Sequence, residues 1–302
     1  MPTNRIVITG ANGQLGSDLN ALFRGGFSEV IGLTRHNMDR TDRPRVREQI
    51  LRLEPQVVLH TAAYTDVDAC QGNESIAMRV NAEGTDNVAS ACAEVGARLI
   101  YYSTDYVFDG DKSSAYVESD APNPQTVYGQ SKLAGEQAVA ALLSNHLIVR
   151  VGWVYGEHGK NFVRTIVSHA LTNLDAAANG HVVSPLKIVD DQIGNPTWTV
   201  DIVRQTEALV NSDLTGIVHA TSEGEASWFR FACDIFSMLD MNVDVMPCQT
   251  EDYPRPARRP HRSTLENARL KEAGINVMRP YREALAEFVE LNAGVLKQCT
   301  VR

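Results

Sequence analysis

Tyr128 and Lys132, in the run Tyr-Gly-Gln-Ser-Lys, are the residues whose types and spacing could move a proton. Four positions apart on a helix, they share one face, a turn apart. A tyrosine titrates near pH ~10 and is a poor acid at neutrality. An ammonium beside it favours the phenolate and would bring that pKa towards working pH, as general acid catalysis requires. The spacing alone is weak, because an amphipathic helix with the Tyr128 hydroxyl in water explains it equally well. What separates the two readings is whether the chain also builds a site for a reaction partner.

Such a site is readable near the start. Gly10-Ala11-Asn12-Gly13-Gln14-Leu15-Gly16 falls between a first strand and a first helix. Gly10 permits a tight turn, Gly13 lets backbone approach a pyrophosphate, and Gly16 allows close helix–strand packing. The helix that follows presents free N–H groups and the positive end of its dipole to the phosphates. The second strand ends in Thr34-Arg35-His36, where an NAD site usually carries Asp or Glu for the ribose 2′-hydroxyl. Thr34 and Arg35 instead suit a 2′-phosphate, which predicts NADPH in preference to NADH; the plain alternative is a solvated arginine in a turn.

The elements needed to hold these groups follow from the hydrophobic pattern. Strands are expected at Arg5–Thr9, Glu29–Leu33, Gln56–His60, Arg98–Ser103 and Leu147–Val151. Helices are expected at Gln14–Phe23, Val46–Leu53, Glu74–Val95 (as one or two) and Tyr128–Leu143. Apolar strands alternating with helices predict an α/β fold, a doubly wound parallel Rossmann sheet covered on both faces. Ser113–Pro124 reads as a surface loop before the catalytic helix. Beyond residue 151 the pattern is mixed, with helices at Phe162–Leu171, Thr199–Val210, Ser227–Leu239 and Arg282–Leu291 and strands at Leu186–Val189 and Ile217–Ala220. This predicts an NADP(H)-binding domain over 1–151 with returning segments near 185–215, and a smaller mixed α/β substrate lobe over 152–184 and 216–302. The cleft between them is the expected site.

Composition narrows the class. At 302 residues with 43% apolar and 22% charged residues, the chain is an ordinary globular one. A net charge of −9 argues against nucleic acid or an anionic membrane as partner. No apolar stretch approaches the ~20 residues that span a bilayer. The N-terminal Met-Pro-Thr-Asn-Arg leads straight into a strand without a signal-peptide core. Five cysteines (Cys70, Cys92, Cys233, Cys248, Cys299), with no Cys-x-x-Cys pair, read as reduced thiols of a cytoplasmic protein.

Four runs together resemble the extended short-chain dehydrogenase/reductases: Gly10–Gly16, Thr61-Ala-Ala-Tyr-Thr-Asp-Val-Asp68, Ser103-Thr-Asp-Tyr-Val-Phe-Asp-Gly110 and Tyr128–Lys132. Four more resemble, within them, the dTDP-4-dehydrorhamnose reductase family: Arg150-Val-Gly-Trp153-Val-Tyr155, Gly159-Lys-Asn161-Phe162, Asp190–Thr197 and Arg259-Pro-His-Arg-Ser263. The resemblance runs nearly end to end. It implies that Tyr128 protonates a sugar C4 oxygen while NADPH delivers hydride, that Lys132 binds the nicotinamide ribose, and that Thr104 bonds the same oxygen, with Ser103 as fallback. It further implies that Asp39, Arg40, Ala62, Ala63, Tyr64 and Tyr102 border the cofactor, and that Thr65, Asp105, Tyr106 and Trp153 border the substrate. Trp153 has core packing as its plain alternative.

Tyr253–Arg262 is a proline-stiffened basic loop, from which Arg259 is chosen for the substrate diphosphate. The implied substrate is a dTDP-sugar, with a homodimer possible. Magnesium, a minor possibility, would fall to Asp190, Asp191 and Asp18; the expectation is no metal. The stretch Asn173–Ser184 is longer than the family pattern, and the small residues of Asp175–Gly180 suggest a mobile excursion beside the cleft. Three rivals remain open: a related keto-sugar reductase giving a talose- or streptose-type product, a nucleotide-sugar epimerase, and a regulatory subunit like the methionine adenosyltransferase β subunit.

Overall fold

The computed structural model describes residues 5–24 and 29–298; the four N-terminal residues and Cys299 fall outside them. The first half runs β1 (Arg5–Thr9), α1 (Gln14–Phe23), β2 (Glu29–Leu33), α2 (Arg43–Leu53), β3 (Val57–His60), α3 (Val67–Gly72), α4 (Glu74–Met78), α5 (Gly84–Val95), β4 (Arg98–Thr104), α6 (Val127–Leu142) and β5 (His146–Val151). The second half runs β6 (Val154–Tyr155), α7 (Phe162–Ala178), β7 (Leu186–Val189), β8 (Ile193–Gly194), β9 (Thr197–Trp198), α8 (Thr199–Val210), β10 (Gly216–His219), β11 (Ala226–Ser227), α9 (Trp228–Met238), β12 (Val245–Cys248), α10 (Ala268–Glu272) and α11 (Tyr281–Leu296).

Six strands form one parallel sheet in the order β10-β5-β4-β3-β1-β2. Successive strand residues point to opposite faces, and here both faces are apolar. Ile6, Ile8, Val57, Leu59, Ile100, Leu147 and Val149 pack with α1 and α8 through Leu19, Phe23, Ile202 and Leu209. Val7, Val58, Leu99, Tyr101 and Ile148 pack on the other face with Val46, Ile50, Val88, Cys92 and Val139 of α2, α5 and α6. A separate core joins α7, α9 and α11 through Val163, Val167, Phe231, Ile235, Leu285 and Phe288.

Two elements depart from the expected division. Strand β10, from the segment assigned to the second lobe, is the sheet's edge beside β5. Strand β7, expected among the segments returning to the first domain, pairs with β12 instead. Short runs carry too little periodicity to show a strand's partner. The Asn173–Ser184 stretch also departs, because Asp175–Ala178 completes α7. Alanine is the strongest helix former, so this run extends the helix. None of its residues lines the cleft described below.

The span Glu74–Val95 is neither one plain helix nor two. A π turn, Arg79–Glu83, joins α4 to α5 and absorbs an extra residue. It aims Asn81 inward, where the side-chain amide accepts from Tyr64 N (2.7 Å) and donates to Tyr64 O and Ser131 Oγ (both 3.0 Å).

Helix α6 starts where Thr126 accepts a hydrogen bond from Gly129 N at 3.0 Å, a standard N-cap. It is fastened to β5 by a buried fork: Arg150 Nε and Nη2 donate to the two carboxylate oxygens of Glu136 at 2.9 and 2.7 Å. Both side chains are almost fully buried. Removing one member strands a charge in the interior, at a cost of about 3–5 kcal/mol. Glu136→Leu is therefore expected to lower unfolding free energy by that order in urea titration, and Glu136→Leu with Arg150→Met to recover most of it. A loss below about 1 kcal/mol for the single variant would remove this pair from its fastening role.

Candidate active site

The chain passes from β1 to β2 on one side and then returns from β2 past β1 to β3 on the other, so the switch point of the sheet lies between β1 and β3. A cleft of about 850 Å³ opens there, outside the carboxyl ends of the strands. Its floor is the glycine turn. Gly10 sits at φ +71°, a left-handed backbone that favours glycine, and its carbonyl accepts from Gly13 N at 2.8 Å. A Cβ on Gly10 would lie 2.8 Å from the Ala62 backbone, and one on Gly16 would collide with the Gly10 carbonyl. Helix α1 begins at Gly13 without a side-chain cap, so its leading N–H groups remain for an anion. The residues present fit a dinucleotide phosphate group.

At one end of the cleft, Arg35 is 85% exposed and only loosely paired with Asp39, 3.8 Å away. Asp39 is held in place by Thr41, whose N and Oγ1 donate to it at 3.0 and 2.8 Å. Arg40 donates through Nε to Val80 O (3.1 Å), and burial lowers its pKa to about 10, partly offset by Asp39.

At the other end, Tyr128 and Lys132 of α6 meet Thr104, the last residue of β4. All three are buried. Lys132 Nζ donates to Tyr102 O at 2.7 Å and lies 4.1 Å from the centre of the Tyr101 ring. Burial, reinforced by the charge of Arg40, brings the Lys132 pKa down to about 7, while Glu136 opposes the shift. Burial also pushes the Tyr128 hydroxyl above its ordinary value, and the Thr104 hydroxyl pulls the other way. The expectation that Lys132 draws Tyr128 towards neutral pH is therefore not met. Desolvation is the largest influence on Tyr128, the Lys132 charge is not among those acting on it, and Lys132 Nζ donates to a backbone carbonyl.

Of the residues named from sequence, Gly10, Asn12, Gly13, Gln14, Leu15, Gly16, Arg35, Asp39, Arg40, Ala62, Ala63, Tyr64, Thr65, Tyr102, Thr104, Asp105, Tyr106, Tyr128, Lys132 and Trp153 all line this cleft, as do Thr34 and Ser103. Two do not. Ala11 turns to β2, its N–H donating to Leu33 O at 3.1 Å, with its Cβ where Gly32 leaves room. Arg259 is paired with Asp68 at 2.9 Å and bonded to Ala257 O at 3.0 Å. Trp153 lines the cleft and packs as well: its ring stacks on Trp228 with centroids 3.4 Å apart, and its backbone sits at φ +46°. The three aspartates weighed for magnesium are engaged separately, Asp18 by Thr199, Asp190 by Ser227 and Asp191 by Thr250.

Sequence reasoning missed Arg79 and Lys160, two further cations on the cleft, and Asn81, which clamps its wall. Lys160 lay within a quoted motif; nothing local marked Arg79 or Asn81, because a π turn has no periodicity to read.

The buried lysine gives a signed prediction. Its folded pKa of about 7 lies below the ~10.4 of an unfolded chain. Between those values the unfolded chain binds more protons, so Lys132 makes folding stability rise with pH across that window. Lys132→Met is expected to lack this rise relative to the unsubstituted chain, measured by urea unfolding from pH 6 to 10; parallel profiles would refute the lowered lysine.

Comparison with known proteins adds the family. Residues 4–293 match the family model described as "RmlD substrate binding domain". A dTDP-4-dehydrorhamnose reductase of Mycobacterium tuberculosis is 43% identical over 94% of this chain and 92% of its own. A dTDP-4-keto-6-deoxy-D-glucose reductase of Streptomyces niveus is 40% identical over 96% of this chain and 99% of its own. The crystal structure of a Bacillus anthracis dTDP-4-dehydrorhamnose reductase in complex with NADP superposes with a TM-score of 0.89 at 36% identity, covering 96% of this chain and 99% of that one. With its glycine cradle and buried tyrosine–lysine–threonine group in one cleft, the chain belongs to the RmlD substrate-binding-domain family.

Proposed function

We propose that the protein reduces the C4 keto group of a dTDP-4-keto-6-deoxysugar, with dTDP-4-dehydro-L-rhamnose as substrate, dTDP-L-rhamnose as product and NADPH as reductant. The observation that carries this reading is the single cleft joining the glycine turn to Thr104, Tyr128 and Lys132. The cofactor, when bound, supplies the hydride that reaches C4. The chain's own residues do the rest. Tyr128 gives its proton to the C4 oxygen as the charge there grows, which a buried, protonated phenol is suited to do. Thr104 stabilises the same oxygen. Lys132, held by the Tyr102 carbonyl, binds the nicotinamide ribose. Arg35, exposed and loosely paired at the adenosine end, takes the 2′-phosphate. Arg259, neighbouring Tyr106, takes the substrate diphosphate once Asp68 releases it.

A second reading keeps the mechanism and changes the sugar. The Streptomyces niveus relative, similar over nearly its whole length, carries the name of a different keto-sugar reductase. The orientation of the sugar against the nicotinamide distinguishes the two.

The test mixes protein, NADPH and dTDP-4-dehydro-L-rhamnose, follows loss of reduced nicotinamide absorbance, and identifies the sugar by NMR. Oxidation giving dTDP-L-rhamnose is expected; a different C4 epimer, or oxidation only when dTDP-4-keto-6-deoxy-D-glucose replaces that sugar, would favour the second reading, and no oxidation with either sugar would overturn both. Tyr128→Phe is expected to lower kcat by about 10²–10⁴-fold with NADPH binding retained, and near-normal turnover would remove its acid role. Arg35→Ala is expected to raise KM for NADPH by about 10-fold or more, as for a lost charge-assisted contact, and KM for NADH little. Equal effects on both would assign Arg35 to solvent.

A further inference from the structure

Asp105, directly after Thr104, is almost fully buried at the reacting end of the cleft, yet has no task in the reduction just described. Its Oδ1 accepts a hydrogen bond from Thr104 Oγ1 at 2.9 Å. Its Oδ2 is buried without a hydrogen-bond partner, and nearby Ser263 favours the charged form. Gly152 leaves the space the carboxyl occupies, because a Cβ there would lie 3.1–3.2 Å from it.

The difficulty this creates is one of proton counting. A threonine hydroxyl has one hydrogen and two lone pairs. Thr104 accepts from Tyr106 N at 3.2 Å and shares a contact with the Tyr128 hydroxyl. If its hydrogen is given to Asp105, none is left for a sugar oxygen. Tyr128, donating into the remaining lone pair, would then point its own proton along the same chain, away from substrate.

We infer that Asp105 is a positioning residue whose own proton sets the direction of the Thr104 hydroxyl: towards the carboxylate when Asp105 is ionised, and towards the substrate C4 oxygen when it is protonated. This inference rests on the proposed reduction for the identity of that oxygen. In this role the Asp105 proton stays on the carboxyl. The protonated carboxyl donates to Thr104 Oγ1, which frees both hydroxyl protons for the substrate. A buried carboxylate lacking one partner is costly, so the neutral form is accessible. Burial raises the Asp105 pKa to about 6, against the pull of Ser263 and Thr104. The titratable groups facing it are Tyr128 from α6 and Tyr106 from the turn after β4, with the Arg259–Asp68 pair acting on Tyr106.

A group with a raised pKa is neutral below it, so the reductive kcat should fall as pH rises through the Asp105 midpoint. Asp105→Asn carries an amide that donates as the neutral acid does and cannot ionise, so this limb should vanish from its kcat profile. Ser263→Ala removes a group favouring the charge and should move the limb to higher pH. A profile unchanged in both variants, with each shown to bind NADPH, would overturn the inference.

A readout without turnover separates this from the proposed reaction. With ¹³C-labelled aspartate, the Asp105 carboxyl signal, assigned by its absence in Asp105→Asn, should titrate near pH 6. Thr104→Val should raise its midpoint by about half a unit to one unit, the scale of one lost hydrogen bond. An unmoved midpoint would refute the coupling whatever the enzyme reduces. A sugar inert at every pH, with the midpoint still moved by Thr104→Val, would sink the substrate reading while supporting the coupling.

Discussion

Everything in the site depends on how closely helix α6 approaches the sheet. A Cβ on Gly129 would collide with the Tyr106 carbonyl, and one on Gly135 would lie 2.5 Å from the Tyr101 hydroxyl and 2.8 Å from the Asn81 carbonyl. The Glu136–Arg150 fork then holds the helix at that distance from β5. At this spacing Lys132 reaches a strand carbonyl and Tyr128 reaches the end of β4. Larger residues at the two glycines would move Tyr128 and its neighbours away from the glycine turn together.

The same closeness fixes the electrostatics. Burial is the largest influence on Tyr128, Lys132, Asp105 and Arg40 alike, and in each it disfavours the charged form. Acids are pushed up and bases down, which brings the Lys132 and Asp105 midpoints towards the physiological range. Water is replaced by fixed partners: a carbonyl for Lys132, a hydroxyl for Asp105. Such groups need little reorganisation when charge develops on a bound carbonyl.

Much of this was legible in the sequence, for identifiable reasons. The glycine turn is a backbone requirement, and Gly10 and Gly16 admit no side chain where they stand. The central strands are apolar on both faces, a pattern that only a covered parallel sheet explains. What escaped reading depends on distant partners. Strand β10 gives no sign of pairing with β5, and Arg259 none of meeting Asp68 across more than 180 positions. The raised Tyr128 pKa escaped as well, because spacing shows that Lys132 shares its face but not how deeply the hydroxyl is buried.

The π turn between α4 and α5 bears on how the cleft can open. An α-helix turns by about 100° per residue, so one absorbed residue rotates the two ends out of phase. Helix α4 can thereby bring Ile76 to the cleft while α5 keeps Val88 and Cys92 in the core. Asn81, on the turn itself, grips both Tyr64 of the cleft wall and Ser131 of α6. The wall is thus tied into a helical rod whose other end is core, so displacing it means breaking the bonds Asn81 makes to Tyr64 and Ser131.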